Sequence, residues 1–148
     1  MIQGKWFAPD TDPIDAVAIR KRVFNRGTDA LDSESWNVVV YEDGSPVATG
    51  RIWWKDGAYR LGDICVPEEL RGRRLGDLVL RLLLFKAQTH SAREVRLSCD
   101  ASVSGFFARL GFLDDVSGSG LTEMLLPGDR IELDTCRNCH KQNCPNRK

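Results

Sequence analysis

The chain has 148 residues, a length that suits one domain around one core rather than two. Its 21 Lys and Arg balance 21 Asp and Glu, which argues against a protein whose main task is to coat nucleic acid, while an apolar fraction of 42% and four tryptophans argue against disorder. The N-terminus, MIQGKWFAPD, lacks the apolar stretch of a signal peptide, and the most apolar run, residues 78–85, is interrupted by Arg81 and too short to span a bilayer, so the expectation is a soluble, cytoplasmic protein with no membrane partner.

In chain order, IQGKWFA reads as a short strand. DTDPID then opens a helix, with Asp12 as its cap and Pro13 at its first position. Ile14, Val17, Ala18, Val23 and Phe24 give that helix an apolar face, and Gly27 is the expected stop. RGTDALDSES is polar and loop-like, with room for at most a short helix. WNVVVYE, VATGRIWW and YRLGDICV are strands joined by the turn sequences EDGSP and KDGA. Those connections are too short for a crossover, so the three form an antiparallel meander. After Pro67 and a basic loop, Leu75, Leu78, Val79, Leu82 and Leu83 recur at helical spacing, and the helix should run to about His90. REVRLSC alternates Val95 and Leu97 with Arg96 and Ser98; coming after a strand and a helix, it can lie parallel to the earlier strand. SVSGFFARLGF sets Val103, Phe106, Phe107 and Leu110 on one helical face, with Gly111 as its C-terminal cap. FLDDV and LTEMLLP are two last strands around the turn SGSG, and the pattern fades from Gly128. The order predicts an α+β (mixed α/β) domain with one central sheet over residues 1–128, followed by a cysteine-rich basic tail over 129–148.

The loop RGRRLGDLVL, residues 71–80, carries the first chemical signal. A strand that turns through a glycine-bearing loop into a helix presents backbone N–H groups that have no acceptor inside the helix, and the helix dipole adds positive character. Glycine allows close approach of an anion, and Arg71, Arg73 and Arg74 add charge, so a phosphate or pyrophosphate site is one reading. The loop matches neither G-x-x-x-x-G-K-[ST] nor G-x-G-x-x-G. Taken alone, it reads equally well as the solvated basic entry to an ordinary core helix.

A second segment separates these readings. DICVPEELRGRRLGDLVLRLLL, followed about twenty residues later by SVSGFFARLGF, resembles the GNAT superfamily of acyl-CoA N-acyltransferases. The family pattern is a strand ending in an apolar-x-Val run, then R/Q-x-x-G-x-G/A at the start of a helix, and later an aromatic-x-x-x-Gly-Phe signature, met here by residues 107–112. The resemblance covers roughly residues 2–127. It implies a mostly antiparallel, twisted sheet splayed between two strands and flanked by helices. It also implies transfer of an acetyl group from acetyl-CoA to a primary amine by direct attack, the acceptor being a small-molecule or peptide amine.

Carried over, the coenzyme A pyrophosphate rests on the amides of Arg71, Gly72, Arg73, Arg74, Leu75 and Gly76. The pantetheine arm pairs with Ile64, Cys65 and Val66 as an added strand, and the Val66 N–H polarises the thioester carbonyl. The opposite wall is the region of residues 100–104, with Ser104, and the helix bearing Phe106 and Phe107. Asp63 and Asp100, at the ends of the two splayed strands, are the candidate general bases, acting directly or through water. Asp63 also reads as a surface residue, and Asp100 also suits a helix cap. The resemblance implies dimers in many relatives, so a homodimer is open.

Two departures stand against the pattern. Arg74 replaces the middle glycine of R-x-x-G-x-G, which is harmless if the position is helical and puts cofactor binding in doubt if φ is positive. Phe107 stands where many relatives carry a tyrosine acid and has no proton to donate. Both favour the alternative of a non-catalytic acyl-CoA-binding module with a metal- or redox-sensitive tail.

Cys65 and Cys99 lie in apolar segments with no histidine placed to activate them and read as core residues; His90 reads as exposed at a helix end. Trp53 and Trp54 must face opposite sides of their strand, one of them core, and Arg51, on the face of Trp53, reads as an exposed strand arginine. In the tail, Cys136, Cys139, His140 and Cys144 have zinc-ligand chemistry, and C-x2-C-x4-C resembles the opening of a zinc knuckle without its fourth ligand. Zinc and a basic tail of free thiols are level readings. The basic tail leaves nucleic acid as a weak alternative partner, against the neutral net charge.

Overall fold

The computed structural model describes residues 1–25, 27–115, 122–131 and 133. Its strands are β1 (Ile2–Phe7), β2 (Trp36–Glu42), β3 (Ser45–Lys55), β4 (Ala58–Cys65), β5 (Glu94–Cys99), β6 (Leu113–Asp115) and β7 (Thr122–Pro127). Its helices are α1 (Ile14–Phe24), α2 (Leu75–Thr89) and α3 (Ser104–Ala108), and 3-10 turns stand at Ala30–Ser33, Glu68–Leu70, Ala101–Val103 and Gly128–Arg130. The strands form one sheet in the order β1-β2-β3-β4-β5-β7-β6, antiparallel throughout except for β4 beside β5. This is the α+β architecture expected, with the parallel pair where the strand–helix–strand order places it.

Helices cover both faces. α2 lays Val79, Leu80, Leu83, Leu84 and Ala87 on Val38, Val40, Ala48, Ile52, Leu61, Val95 and Leu97. On the opposite face, Ala16 and Ile19 of α1 pack with Val39 and Cys65. Gly50 lets α2 approach: a Cβ there would lie 2.7 Å from Val79 Cγ1 and 3.0 Å from Leu83 Cδ1.

Four local expectations change. The side of α1 that is buried carries Ala16, Ile19 and Arg20, while Ile14, Ala18 and Phe24 of the expected apolar face are exposed, because the helix turns its small and branched residues one step away from that face toward the sheet. Pro13, not Asp12, is the N-cap of α1; at φ −85° and ψ 58° it is outside the helix, and no side-chain hydrogen bond caps it. α1 ends at Asn25, before Gly27, because Asn25 takes the left-handed C-cap conformation at φ 56°, which its short polar side chain tolerates. Val103 is exposed rather than core-facing, because its segment winds as a 3-10 turn and so leaves the helical register of Phe107 and Leu110.

The decisive irregularity is in β4. Arg51 of β3 lies opposite Gly62, and Thr49 opposite Cys65, so β4 spends three steps where β3 spends two. The extra residue is a β-bulge, and Asp63 within it has φ 51°. The bulge resets the alternation: Leu61 and Ile64 both join the core under α2, while Cys65 turns to the α1 face. Pairing of β4 with β5 covers Tyr59, Arg60 and Leu61 against Val95, Arg96 and Leu97, and stops there, although both strands continue. Beyond Leu61 and Leu97 the two strands part.

Candidate functional site

The parted strands open on a cleft of about 760 Å³. Ile64, Cys65 and Val66 form one wall; Arg71, Gly72, Arg74, Leu75 and Gly76 form the end where the loop enters α2; Val103, Phe106, Phe107, Arg109 and Leu110 form the other wall. Val23 and Phe24 at the end of α1 complete it.

The loop keeps its shape through backbone conformation and one tether. Gly72 has φ 84°, and Arg74, the N-cap of α2, has φ 61° and ψ 23°. Arg74 thus holds the left-handed conformation that its glycine-replacing position called into question. The cost of a side chain there is about 1–2 kcal/mol, borne by the fold. Arg71 Nε donates to the Val66 carbonyl at 3.0 Å, tying the loop to the end of β4. The first helical hydrogen bond runs from Leu78 N to Arg74 O at 3.1 Å, so the amides of Leu75, Gly76 and Asp77 precede the helix's own acceptors. Arg71, Arg74, Arg81 and Arg109 line the cleft against one carboxylate, Asp77, which takes a 2.9 Å hydrogen bond from Arg81 Nε. The Arg109 guanidinium lies 5.9 Å from the centre of the Phe106 ring.

Most residues expected to hold the cofactor therefore meet in one place: Ile64, Cys65, Val66, Arg71, Gly72, Arg74, Leu75, Gly76 and Phe107. Arg73 and Ser104 do not line the cleft: Arg73 pairs with Glu42 of β2, and the Ser104 hydroxyl donates to Ala101 O at 2.9 Å. The two candidate bases are held outside the lining. Asp100 is exposed and accepts from Ser102 N at 3.1 Å, capping the 3-10 turn at Ala101–Val103. Asp63 is not a surface residue: only 15% of its side chain is exposed, and its carboxylate lies 2.6 Å from the Arg51 guanidinium. Arg51 in turn is 3% exposed, not an exposed strand arginine, and carries Asp29 as well. Trp53 stays on the face of Arg51, 5.6 Å from the guanidinium to the ring centre, but it is only half-buried, and Trp54 is 56% exposed, so neither is core.

Cys65 and Cys99 are buried, as expected. Burial first, and then the negative charges of Asp114, Asp100 and Glu123, push the Cys99 thiol up, away from thiolate chemistry. Phe107 packs edge-on against Phe106 and Phe112. Cys136, Cys139, His140 and Cys144 lie outside the described residues; among the described residues no group of three His, Cys, Asp or Glu is placed to hold a metal, and no helix is long and apolar enough to cross a membrane. Sequence reasoning missed Val23 and Phe24, whose place in the cleft depends on how α1 crosses the sheet. It also missed Arg81 and Arg109, for which the one signal was a charge at an otherwise apolar helical segment.

The chain is similar in sequence and in fold to known proteins. An uncharacterised N-acetyltransferase of Bacillus subtilis (strain 168), YjcF, is 29% identical over 106 residues, 66% of this chain and 76% of that protein. The structure of an acyl-CoA N-acyltransferase from Pseudomonas aeruginosa superposes with a TM-score of 0.74 at 19% identity, over 84% of this chain and 99% of the other. A GNAT family acetyltransferase from Elizabethkingia anophelis with acetyl-CoA bound gives 0.66 at 12% identity, over 85% and 97%. The family model of the acetyltransferase (GNAT) family matches residues 5–112, and with most of the chain inside that match, the chain belongs to the GNAT family.

Proposed function

We propose that the chain transfers an acetyl group from acetyl-CoA to a primary amine, on a small molecule or a peptide, by direct attack on the thioester. The observation that carries this reading is the parting of β4 from β5 beside the N-terminus of α2, within one cleft. A thioester on a long flexible arm needs both features. The diphosphate anchors on amides 72–76 and the cationic rim, and the arm lies along the end of β4 at Ile64, Cys65 and Val66.

In this reading the Val66 N–H donates to the carbonyl oxygen, which becomes an oxyanion as the amine nitrogen bonds to the carbonyl carbon. Asp100 or Asp63, through a water, takes the proton that the ammonium must lose. Collapse breaks the carbon–sulfur bond and releases CoA as its thiolate. Phe107 offers no proton to that sulfur, so the thiolate leaves without help from this position. The same residue favours the second reading, an acyl-CoA-binding module without turnover.

Gly76 gives the test. A Cβ there would sit 3.8 Å from Phe106 and 3.9 Å from Val66, in ordinary contact with both walls, so Gly76→Leu fills the cleft without clashing at its root. Calorimetric titration with acetyl-CoA should show micromolar binding that the variant loses while remaining folded. A folded wild-type protein that binds no acetyl-CoA overturns the proposal. Binding without thiol release, across an amine panel that includes polyamines, amino acids and peptides, selects the non-catalytic reading.

A further inference from the structure

β4 parts from β5 beside its bulge while staying paired with β3, and the bulge residue is Asp63, a non-glycine residue at φ 51°. Such a conformation persists where surrounding contacts over-determine it. One such contact is with Arg51. Its guanidinium is 3% exposed and makes two parallel hydrogen bonds to Asp29, at 2.7 and 2.8 Å. It also lies 3.3 Å from Asp32 and 2.6 Å from Asp63. Asp32 is held from the other side by Arg20 of α1, at 2.7 and 3.2 Å. One arginine on β3 thus joins α1, the 3-10 turn at Ala30–Ser33 and the bulge of β4.

Arg20 and Arg51 both reach this group of carboxylates, and the shared partner Asp32 couples the two arginines. Asp63 links the group to the bulge.

We infer that Arg51 is a positioning residue: through Asp63 it braces the β4 bulge, and so holds Ile64, Cys65 and Val66 in the shape that receives the acyl-CoA arm. The inference rests on the proposed function for the identity of that ligand, and on the structure alone for the brace. It acts on cofactor binding, before any acceptor is present, and is therefore separate from a role of Asp63 as a base.

The test is Asp63→Asn, which keeps the side-chain shape, tolerates positive φ and removes the charge that meets Arg51. CoA affinity is measured by calorimetry without acceptor, and amide hydrogen exchange is followed along β4. The expected result is a protein that melts within a few degrees of wild type, binds CoA roughly tenfold more weakly, and exchanges the amides of Ile64, Cys65 and Val66 faster while Tyr59 and Leu61 are unchanged. Asp63→Glu, which restores the charge, should recover part of the affinity. Unchanged affinity and unchanged exchange in Asp63→Asn overturn the inference. Should wild type bind no CoA, the functional reading falls on that result, and exchange alone decides the brace: local acceleration supports it, and unchanged rates overturn it.

Discussion

At the N-cap of α2, Arg74 holds a conformation in which a Cβ crowds the following carbonyl, at φ 61° and ψ 23°. Its backbone shapes the loop, and its side chain contributes one of four arginines to the cleft. These two properties have opposite signs in one substitution. Arg74→Gly relieves the strain and should raise stability by about 1 kcal/mol, measured by denaturant unfolding. It also removes a cation from the cleft, so acetyl-CoA binding should weaken, and the deficit should shrink as salt rises and screens the charge. A variant that is less stable, or whose binding deficit ignores salt, would contradict this account. The sequence could pose the question, because Arg stands where the family pattern has glycine, but φ at that position depends on how the loop is tied to Val66 and on where α2 starts, neither of which the local residues encode.

The 3-10 turn at Ala30–Ser33 shows the same limit for a whole element. Residues in this stretch read as a polar loop, since Asp29, Asp32 and Ser33 are turn formers. In the structure Asp29 and Asp32 form a capping box: Leu31 N donates to Asp29 at 3.0 Å, and Asp29 N donates to Asp32 at 3.1 Å. Arg51, 22 residues after Asp29, fixes the turn to the sheet, and nothing local in the sequence pairs them. The hydrogen bonds from Arg51 hold the Asp29 carboxyl down at about 2, against its usual 3.8 and against the opposing effect of burial. A carboxyl lowered on folding stabilises the protein above its unfolded pKa, and that contribution fades as pH falls through the folded value. Unfolding free energy should therefore decline between pH 4 and pH 2 more steeply in wild type than in Asp29→Asn. Equal slopes in that window would show that Asp29 is not held by Arg51 in solution. At the other end of the scale, Tyr41 is pushed up to about 12 by burial and then by its hydrogen bond to Asp15, so its phenol stays protonated across the same experiment.

Across the whole molecule, the legible parts are those set by period and order. The meander, the amphipathic α2 and the parallel return of β5 follow from alternation, helical spacing and connection length, and together they put a helix N-terminus at the end of a central strand. The cleft was legible only to that extent. Its opening comes from one extra residue in β4, and the sequence mark of it is Gly62, a glycine isolated inside a strand pattern, which hints at a bulge without fixing how far β4 stays paired with β5. The position of the loop above the cleft depends in turn on how closely α2 seats on the sheet, and Gly50 of β3 sets that distance. Val79, Leu83 and Ile64 converge on it, and an added methyl would stand 2.7, 3.0 and 3.2 Å from their atoms. Val79 and Leu83 are fully buried, with no empty side to move toward, so α2 must rise for Gly50→Ala to fit. Overpacking of this kind costs about 1–3 kcal/mol, which denaturant unfolding should register. Because Ile64 belongs to the cleft wall and α2 carries Leu75 and Gly76, the same substitution should weaken acetyl-CoA binding although residue 50 is not among the cleft's lining residues. A Gly50→Ala protein that loses stability yet binds acetyl-CoA as wild type does would show that the cradle is set by its own loop, independently of how the helix seats.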